Sequence, residues 1–182
     1  SDEKPVHAVT VSGFEISECE ITNAQYAKFL NEALVSGDVE VSDADVRGRT
    51  GPWKGQIYLH MFHSSGNENC YIGYKNGLFT AEAGRENWPV VFVTWHGAKA
   101  FALFYGFDLP TEAEWEYACR GGGQFEYGTG YGSISGKKAN YWNNGPNHPV
   151  EVGNYPKNSF GLFAMSGNVS EWCHDVYRPY SS

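Results

Sequence analysis

Two capping boxes determine where helices of this chain can begin. The pairs are Thr22 with Gln25, and Thr111 with Glu114. In each pair both side chains satisfy backbone N–H groups that the first helical turn leaves free. Apolar residues on one helical face follow the first pair, and Gly121-Gly122-Gly123 ends the segment after the second. The sequence therefore predicts helices over 23–34 and 112–120.

A third helix and a hairpin are predicted between these two. Thr94 can cap a segment whose apolar residues share one face, and Gly106 follows it, which predicts a helix over 95–105. Asn76-Gly77 separates two β-prone stretches and favours a tight type I′ turn, which needs positive φ at both central residues.

The remaining segments give weaker patterns. Apolar residues predict strands within the first eighteen positions and over 57–59, 70–72, 89–93 and 150–152. Residues 35–55 keep no period and predict a surface excursion, while 124–160 predict irregular backbone held by side-chain and metal contacts.

Composition excludes several classes of protein. Hydrophobic residues make up 41% and charged residues 19%, which is too apolar for a disordered chain. A net charge of -8 with 13 Lys+Arg gives no electrostatic basis for binding nucleic acid. No apolar stretch of about 18 residues predicts a membrane span. Because the chain opens without Met, we expect it to be an excised piece of a longer protein. Its compartment is undetermined, with an extracytoplasmic or secreted location favoured.

Cysteine and histidine give no clear metal motif. The four cysteines are scattered without a CxxC pair, so three disulfide connectivities or buried free thiols remain open. His60 and His63 form a weak His-x2-His pattern, which scattered histidines explain better than a zinc site.

Four blocks of sequence, in order along the chain, closely resemble the formylglycine-generating enzyme (sulfatase-modifying factor) family. They are Ile21-Thr-Asn-Ala-Gln-Tyr26, Pro89-Val-Val-Phe-Val-Thr-Trp95, Leu109-Pro-Thr-Glu-Ala-Glu-Trp-Glu-Tyr-Ala-Cys-Arg-Gly-Gly122 and Gly161-Leu-Phe-Ala-Met-Ser-Gly-Asn-Val-Ser-Glu-Trp172. The resemblance covers nearly the whole chain, with 35–85 matched only in general layout.

This resemblance implies a mixed α+β, C-type-lectin-like fold with little regular secondary structure. It implies one domain over 1–182 that lacks the family's first strand and its C-terminal cysteine-bearing segment. Enzymes of the family oxidise a sulfatase cysteine to formylglycine with O2 and a copper ion held by two cysteines. Copper is therefore expected only if the parent protein carries those cysteines.

A structural calcium ion is the cofactor that the resemblance implies for this chain. Carried over by position, its ligands are the carbonyls of Ala164, Gly167 and Val169 and the carboxylate of Glu171. Carbonyls and a carboxylate suit a hard cation that prefers oxygen. The alternative is an ordinary tight turn. Asn168-Val169-Ser170 is also a glycosylation sequon, expected to be silent on a packed loop.

A second calcium site of the family begins at an Ala-Asn pair, here followed by Tyr141. Its ligands would include Asn140 and Tyr141, but the loop over 143–148 contains no acid, so a cation would bind weakly. Ser170 stands where the family usually carries a tryptophan, which puts sulfatase recognition in question.

Two functions follow from these observations. The parent protein is a copper-dependent oxidase acting on a protein or peptide thiol, or the chain is a non-catalytic binding module on the same scaffold. A cysteine pair elsewhere in the parent would favour the oxidase.

Overall fold

Short regular elements joined by long irregular segments make up this chain. The computed structural model describes residues 8–61, 64–65 and 68–176. Within them, three helices and seven strands leave most of the backbone outside regular structure, which confirms the mixed α+β prediction. In chain order the elements are α1 (Asn23–Ser36), β1 (Val39–Ser42), β2 (Asp45–Gly48), β3 (Ile57–His60), β4 (Ser64–Ser65), β5 (Glu68–Asn69), β6 (Ile72–Lys75), β7 (Leu78–Ala81), α2 (Trp95–Phe104) and α3 (Glu112–Arg120).

All three helices begin at the predicted caps. Both capping boxes form, and Thr94 accepts the Gly97 N–H at 3.2 Å to start α2. Gly37 and Gly121 end α1 and α3 in the left-handed conformation that glycine adopts without strain. None of the helices in the described ranges is long and apolar enough to cross a membrane.

The predicted surface excursion over 35–55 is wrong, because β1 and β2 form an antiparallel hairpin there and β3 adds to it. Val39 and Val46 are buried on its inner face. Asp43 and Ala44 turn the chain with positive φ, a conformation that their residue types do not signal. Charged residues on the outer face hide the alternation of the buried ones.

The hairpin of β6 and β7 turns at Asn76-Gly77 with φ values of 53° and 82°, as predicted. On the outer edge of β7, the side-chain amide of Asn31 on α1 accepts the Phe79 N–H at 2.8 Å and donates to the Phe79 carbonyl at 2.9 Å. A helix side chain thereby satisfies both backbone groups of this edge residue.

Three other strand predictions are wrong. Residues 8–18 form none, and positions 1–7 lie outside the described residues. The run over 89–93 makes only isolated bridges, because Phe92 at φ 61° breaks the extended backbone. The stretch over 150–152 is irregular and gives a single ladder-like bond from Val152 to Asn87.

Two apolar clusters form the core. The larger one packs α1 and α2 against β1, β3 and β7 around Phe29, Leu30 and Leu59. The smaller one joins Ala118 of α3 to Leu162 and Met165. The segment that carries the predicted cation ligands therefore follows directly from the second cluster.

Candidate functional site

The loop over 164–171 is shaped by positive φ at three positions. Ala164, Gly167 and Asn168 have φ values of 52°, 137° and 66°. A Cβ on Gly167 would lie 2.4 Å from the Asn140 carbonyl oxygen, so only glycine fits. This close approach presses the loop against the segment that begins at Asn140.

Asn168 joins this loop to two distant segments. Its backbone N–H donates to the Asn140 carbonyl at 2.8 Å. Its side-chain Nδ2 donates to Glu20 Oε1 at 2.9 Å and to the Val150 carbonyl at 3.2 Å. Its Oδ1 accepts from Val150 N at 2.9 Å and Asn140 Nδ2 at 3.3 Å. The segment before α1 and the segment over 140–150 thus meet at one residue.

Two carboxylates, Glu20 and Glu171, lie beside this junction. Glu171 Oε2 accepts the indole N–H of Trp115 at 2.8 Å. Glu20 Oε2 is buried and has no hydrogen-bond partner among the residues that the structure describes. A buried carboxylate oxygen without a partner costs free energy comparable to a lost charged hydrogen bond.

Burial raises the pKa of both carboxyl groups. For Glu20 desolvation is the largest cause and the Asn168 donor opposes it. For Glu171 desolvation again leads, the Trp115 donor opposes it, and the charge of Glu20 raises the pKa further. The residue Glu171 is exposed as a whole, and its carboxylate is held by the indole N–H of Trp115. The Glu20 carboxylate reaches the same loop through its bond to Asn168. Two carboxylates at one loop favour a bound cation.

Main-chain oxygens complete the possible donor set. The Gly167 carbonyl accepts the Val169 N–H at 2.9 Å and keeps a second lone pair. No described donor bonds to the Ala164 or Val169 carbonyl. The described ranges contain no group of three His, Cys, Asp or Glu side chains that could hold a metal. Two carboxylates with carbonyls suit calcium better than zinc or copper.

Glu20 was missed by the sequence reasoning. It lies two residues before the N-cap Thr22 and just before the block that begins at Ile21. The available signal was a carboxylate directly before a helix with no Lys or Arg beside it in the sequence.

Asn140 and Tyr141, predicted to begin a second site, lie next to the first. The Asn140 amide donates to the His148 carbonyl at 2.9 Å as well as to Asn168. The Tyr141 carbonyl accepts the Asn144 N–H at 2.9 Å. Asn140 is thus part of the neighbourhood of the 164–171 loop, and the site predicted around it stays a prediction.

The cysteines do not form a copper centre. All four are free, and Cys70 and Cys119 direct their thiols to separate main-chain carbonyls, of Ile72 and Met165. Burial raises the pKa of Cys70 and of Cys173 to about 11, which keeps both thiols protonated near neutral pH. Cys70 packs against the larger apolar cluster and Cys119 against the smaller one, so these two do not form a pair that fits copper.

His60, the first residue of the His-x2-His pattern, lies on β3. Its Nδ1 lies 2.9 Å from Asp45 Oδ1 on the neighbouring strand. His63 lies outside the described residues.

Residues 171–175, called the strap below, connect the loop to α2 and α3 through hydrogen bonds. Trp172 donates to the Val93 carbonyl at 3.0 Å, and the Cys173 carbonyl accepts the indole N–H of Trp95 at 2.8 Å. His174 Nδ1 lies 2.9 Å from the buried Lys99 ammonium, which also pairs with Asp108. Consecutive residues of the strap thereby contact different elements, which holds Glu171 in place.

Comparisons with known proteins agree on one family. The model of the sulfatase-modifying factor enzyme 1-like domain matches residues 1–182. The chain is 32% identical to the formylglycine-generating enzyme of Mycobacterium tuberculosis, over 98% of this chain and 69% of that enzyme. It is 33% identical to the Streptomyces coelicolor formylglycine-generating enzyme, over 97% of this chain and 62% of the enzyme.

A third relative has a different name. The chain is 35% identical to the serine/threonine-protein kinase Pkn1 of Chlamydia trachomatis, over 97% of this chain and 25% of that protein. The chain thus spans a quarter of the chlamydial protein and less than two thirds of the Streptomyces enzyme.

Proposed function

This chain belongs to the sulfatase-modifying factor enzyme 1-like domain family, and on that premise we propose that it is the calcium-ordered scaffold of an enzyme that oxidises a protein cysteine with O2 and copper. The relatives named formylglycine-generating enzymes support the oxidase assignment for the parent protein. Calcium is the part of the proposal that this chain's own residues support.

The buried, unpartnered Glu20 Oε2 carries the calcium proposal. The other oxygen of the same carboxylate bonds to Asn168 at 2.9 Å, on the loop that also carries Glu171 and whose Ala164 and Val169 carbonyls accept no described hydrogen bond. A divalent cation between the two carboxylates satisfies all of these oxygens together and removes the repulsion between them.

Copper is proposed for the parent protein only, because this chain's cysteines do not fit it. Its ligands would come from residues of the parent protein other than those described, and the chain's contribution would be to place the protein substrate. Ser170, exposed where the family usually carries tryptophan, leaves that contact surface smaller.

A thermal melt tests the calcium site. Saturating calcium at a hundred times Kd should stabilise the chain by about 2.7 kcal/mol, which raises Tm by about 5–10 °C. Glu20→Gln and Glu171→Gln should each lose this gain, because each removes a charge from the site while keeping its shape. Both variants should melt no lower than the parent in chelator, since neutral side chains avoid the buried like charges.

The control is Glu116→Gln, a carboxylate on the exposed face of α3 that pairs with Arg120. It should keep the full calcium shift. A parent whose Tm is the same in calcium and in chelator would show that the loop is an ordinary turn.

The chlamydial relative favours a second candidate, a binding module without oxidase activity. There a related domain is a quarter of a protein named a kinase. The full-length parent decides between the two: aldehyde formation on a cysteine peptide with copper and O2 supports the oxidase, and binding of the peptide without aldehyde supports the module.

A further inference from the structure

The side chain of Asn168 has its hydrogen-bonding capacity filled. Both Nδ2 hydrogens are donated, to Glu20 and to the Val150 carbonyl, and Oδ1 accepts two bonds. An amide has two donor hydrogens and two acceptor lone pairs. Its oxygen therefore has no lone pair left for a cation, although it lies in the middle of the proposed calcium loop.

We propose that Asn168 is a positioning residue, which holds the Glu20 carboxylate on the cation site and ties the 140–150 segment to the same site without itself binding the ion. This inference rests on the calcium site proposed above and deepens it. It assigns a role to a loop residue that lies between the main-chain ligands Gly167 and Val169.

Asn168 fixes the orientation of the Glu20 carboxylate. Glu20 and Asn168 are 148 residues apart in the chain, so no local backbone geometry fixes one relative to the other. The Asn168 donor holds Oε1 at 2.9 Å and leaves Oε2 as the oxygen without a described partner. Without this bond the carboxylate is free to rotate away from the loop, and the proposed cation loses a charged ligand.

Asn168 also bonds to both ends of the 140–150 segment. The Val150 N–H donates to Asn168 Oδ1, and the Val150 carbonyl accepts from Asn168 Nδ2. This pair of bonds resembles that of a paired strand residue. Asn140 meets Asn168 through its carbonyl and its side chain. The segment between them is irregular, so the Asn168 bonds at its two ends contribute to its order.

The same contacts bear on the glycosylation sequon at Asn168. A glycan replaces one Nδ2 hydrogen, and both are in use. Glycan attachment therefore removes either the bond to Glu20 or the bond to the Val150 carbonyl, which gives a physical reason to expect an unmodified sequon.

Asn168→Gly is the informative variant, because glycine adopts φ 66° without strain and removes only the side chain. Asn158→Gly is the matched control. Asn158 also makes four side-chain hydrogen bonds within a loop, to Ala118, Cys119, Phe160 and Leu162, and none of them involves a carboxylate. Both variants lose a comparable network, and only one loses a contact to Glu20.

Calorimetric titration with calcium, at a temperature where circular dichroism shows folded protein, measures the expected difference. Asn168→Gly should raise Kd at least about tenfold, or about 1.4 kcal/mol. Asn158→Gly should leave Kd within about twofold. On a Glu20→Gln background the Asn168→Gly effect should largely disappear, since the two residues act through one ligand.

Amide hydrogen exchange supplies a second readout, which does not depend on measuring the calcium affinity. Calcium should slow exchange of the Val150 amide in the parent, and should leave the Leu162 amide, held by Asn158, unchanged. Asn168→Gly should abolish protection at Val150 even in chelator.

The outcomes separate the two proposals. A parent that binds no calcium overturns the calcium site. Calcium binding in the parent with an unchanged Kd in Asn168→Gly overturns the positioning role alone. Unchanged Val150 exchange in that variant overturns the tie to the 140–150 segment.

Discussion

At the scale of single residues, Gly167 is the position with the least freedom. An alanine there would place its Cβ 2.4 Å from the Asn140 carbonyl oxygen. Its backbone would also have to keep φ 137°, which residues other than glycine rarely adopt. We expect Gly167→Ala to lower the free energy of unfolding by about 2–5 kcal/mol, from strain and overlap together. Urea denaturation measures the loss.

Gly161→Ala is the control for that substitution. Gly161 has φ 82° and open space around the added Cβ, so only the left-handed strain remains, about 1–2 kcal/mol. Equal losses in the two variants would contradict the close approach of Gly167 to Asn140.

The sequence identified one carboxylate of the site and missed the other. Glu171 was found because it lies on the same short loop as the carbonyls, within a block that resembles a family motif. Glu20 is remote in sequence, and its place in the site depends on the folded path of the chain through Asn168. Single-residue patterns do not carry that information.

At the scale of elements, the helices were predictable and several strands were not. Each helix is specified by side chains within a few residues of its ends, as Thr111 and Glu114 show. The strands of the first hairpin depend on cross-strand partners, such as Val41 opposite Val46, and on a turn without glycine. The failed strand over 89–93 depends on one positive φ, at Phe92.

Removing the second capping box should weaken α3 and, through Trp115, the support of Glu171. Thr111→Ala loses the bond to the Glu114 N–H at 3.2 Å and should lower the free energy of unfolding by about 1 kcal/mol. Thr111→Ser keeps the hydroxyl and should retain most of the stability. Chemical denaturation measures both, and an equal loss in the two variants would argue against a capping role.

At the scale of the whole molecule, the proposed cation site joins distant parts of the chain. Glu20 comes just before α1 in the larger core cluster, whereas Glu171 bonds to Trp115 beside the smaller one. The proposed cation would link the two clusters and so would help a domain with little regular structure to hold its irregular segments.

The chain by itself should not form an aldehyde. With copper, O2 and a cysteine peptide, mass spectrometry should detect no formylglycine, because the cysteines of this chain are dispersed, with Cys70 and Cys119 packed against different apolar clusters. The Streptomyces coelicolor formylglycine-generating enzyme serves as the positive control. Aldehyde produced by this chain would place a copper site among residues where we find none.

The stability of the calcium-free protein should fall as pH rises above about 4.5. Burial raises the folded-state pKa of Glu20 and Glu171 above the usual 4.5, so the folded state holds their protons more tightly than the unfolded state does. Stability is then lost as pH rises from 4.5 through the raised values. Saturating calcium binds the ionised carboxylates and should reverse this slope within the same window.

Other groups can be separated from this effect. In Asp108 desolvation is outweighed by the hydrogen bonds from Lys99 and Leu109, so its pKa lies below 3.8 and its contribution is lost only under more acidic conditions. The double variant Glu20→Gln, Glu171→Gln removes both raised groups and leaves every histidine in place. Urea denaturation between about pH 4 and 7 should therefore give a flatter profile in the double variant, with no response to calcium. Identical profiles for parent and double variant would mean that the two carboxylates are hydrated and uncoupled, and the reason for placing a cation between them would be gone.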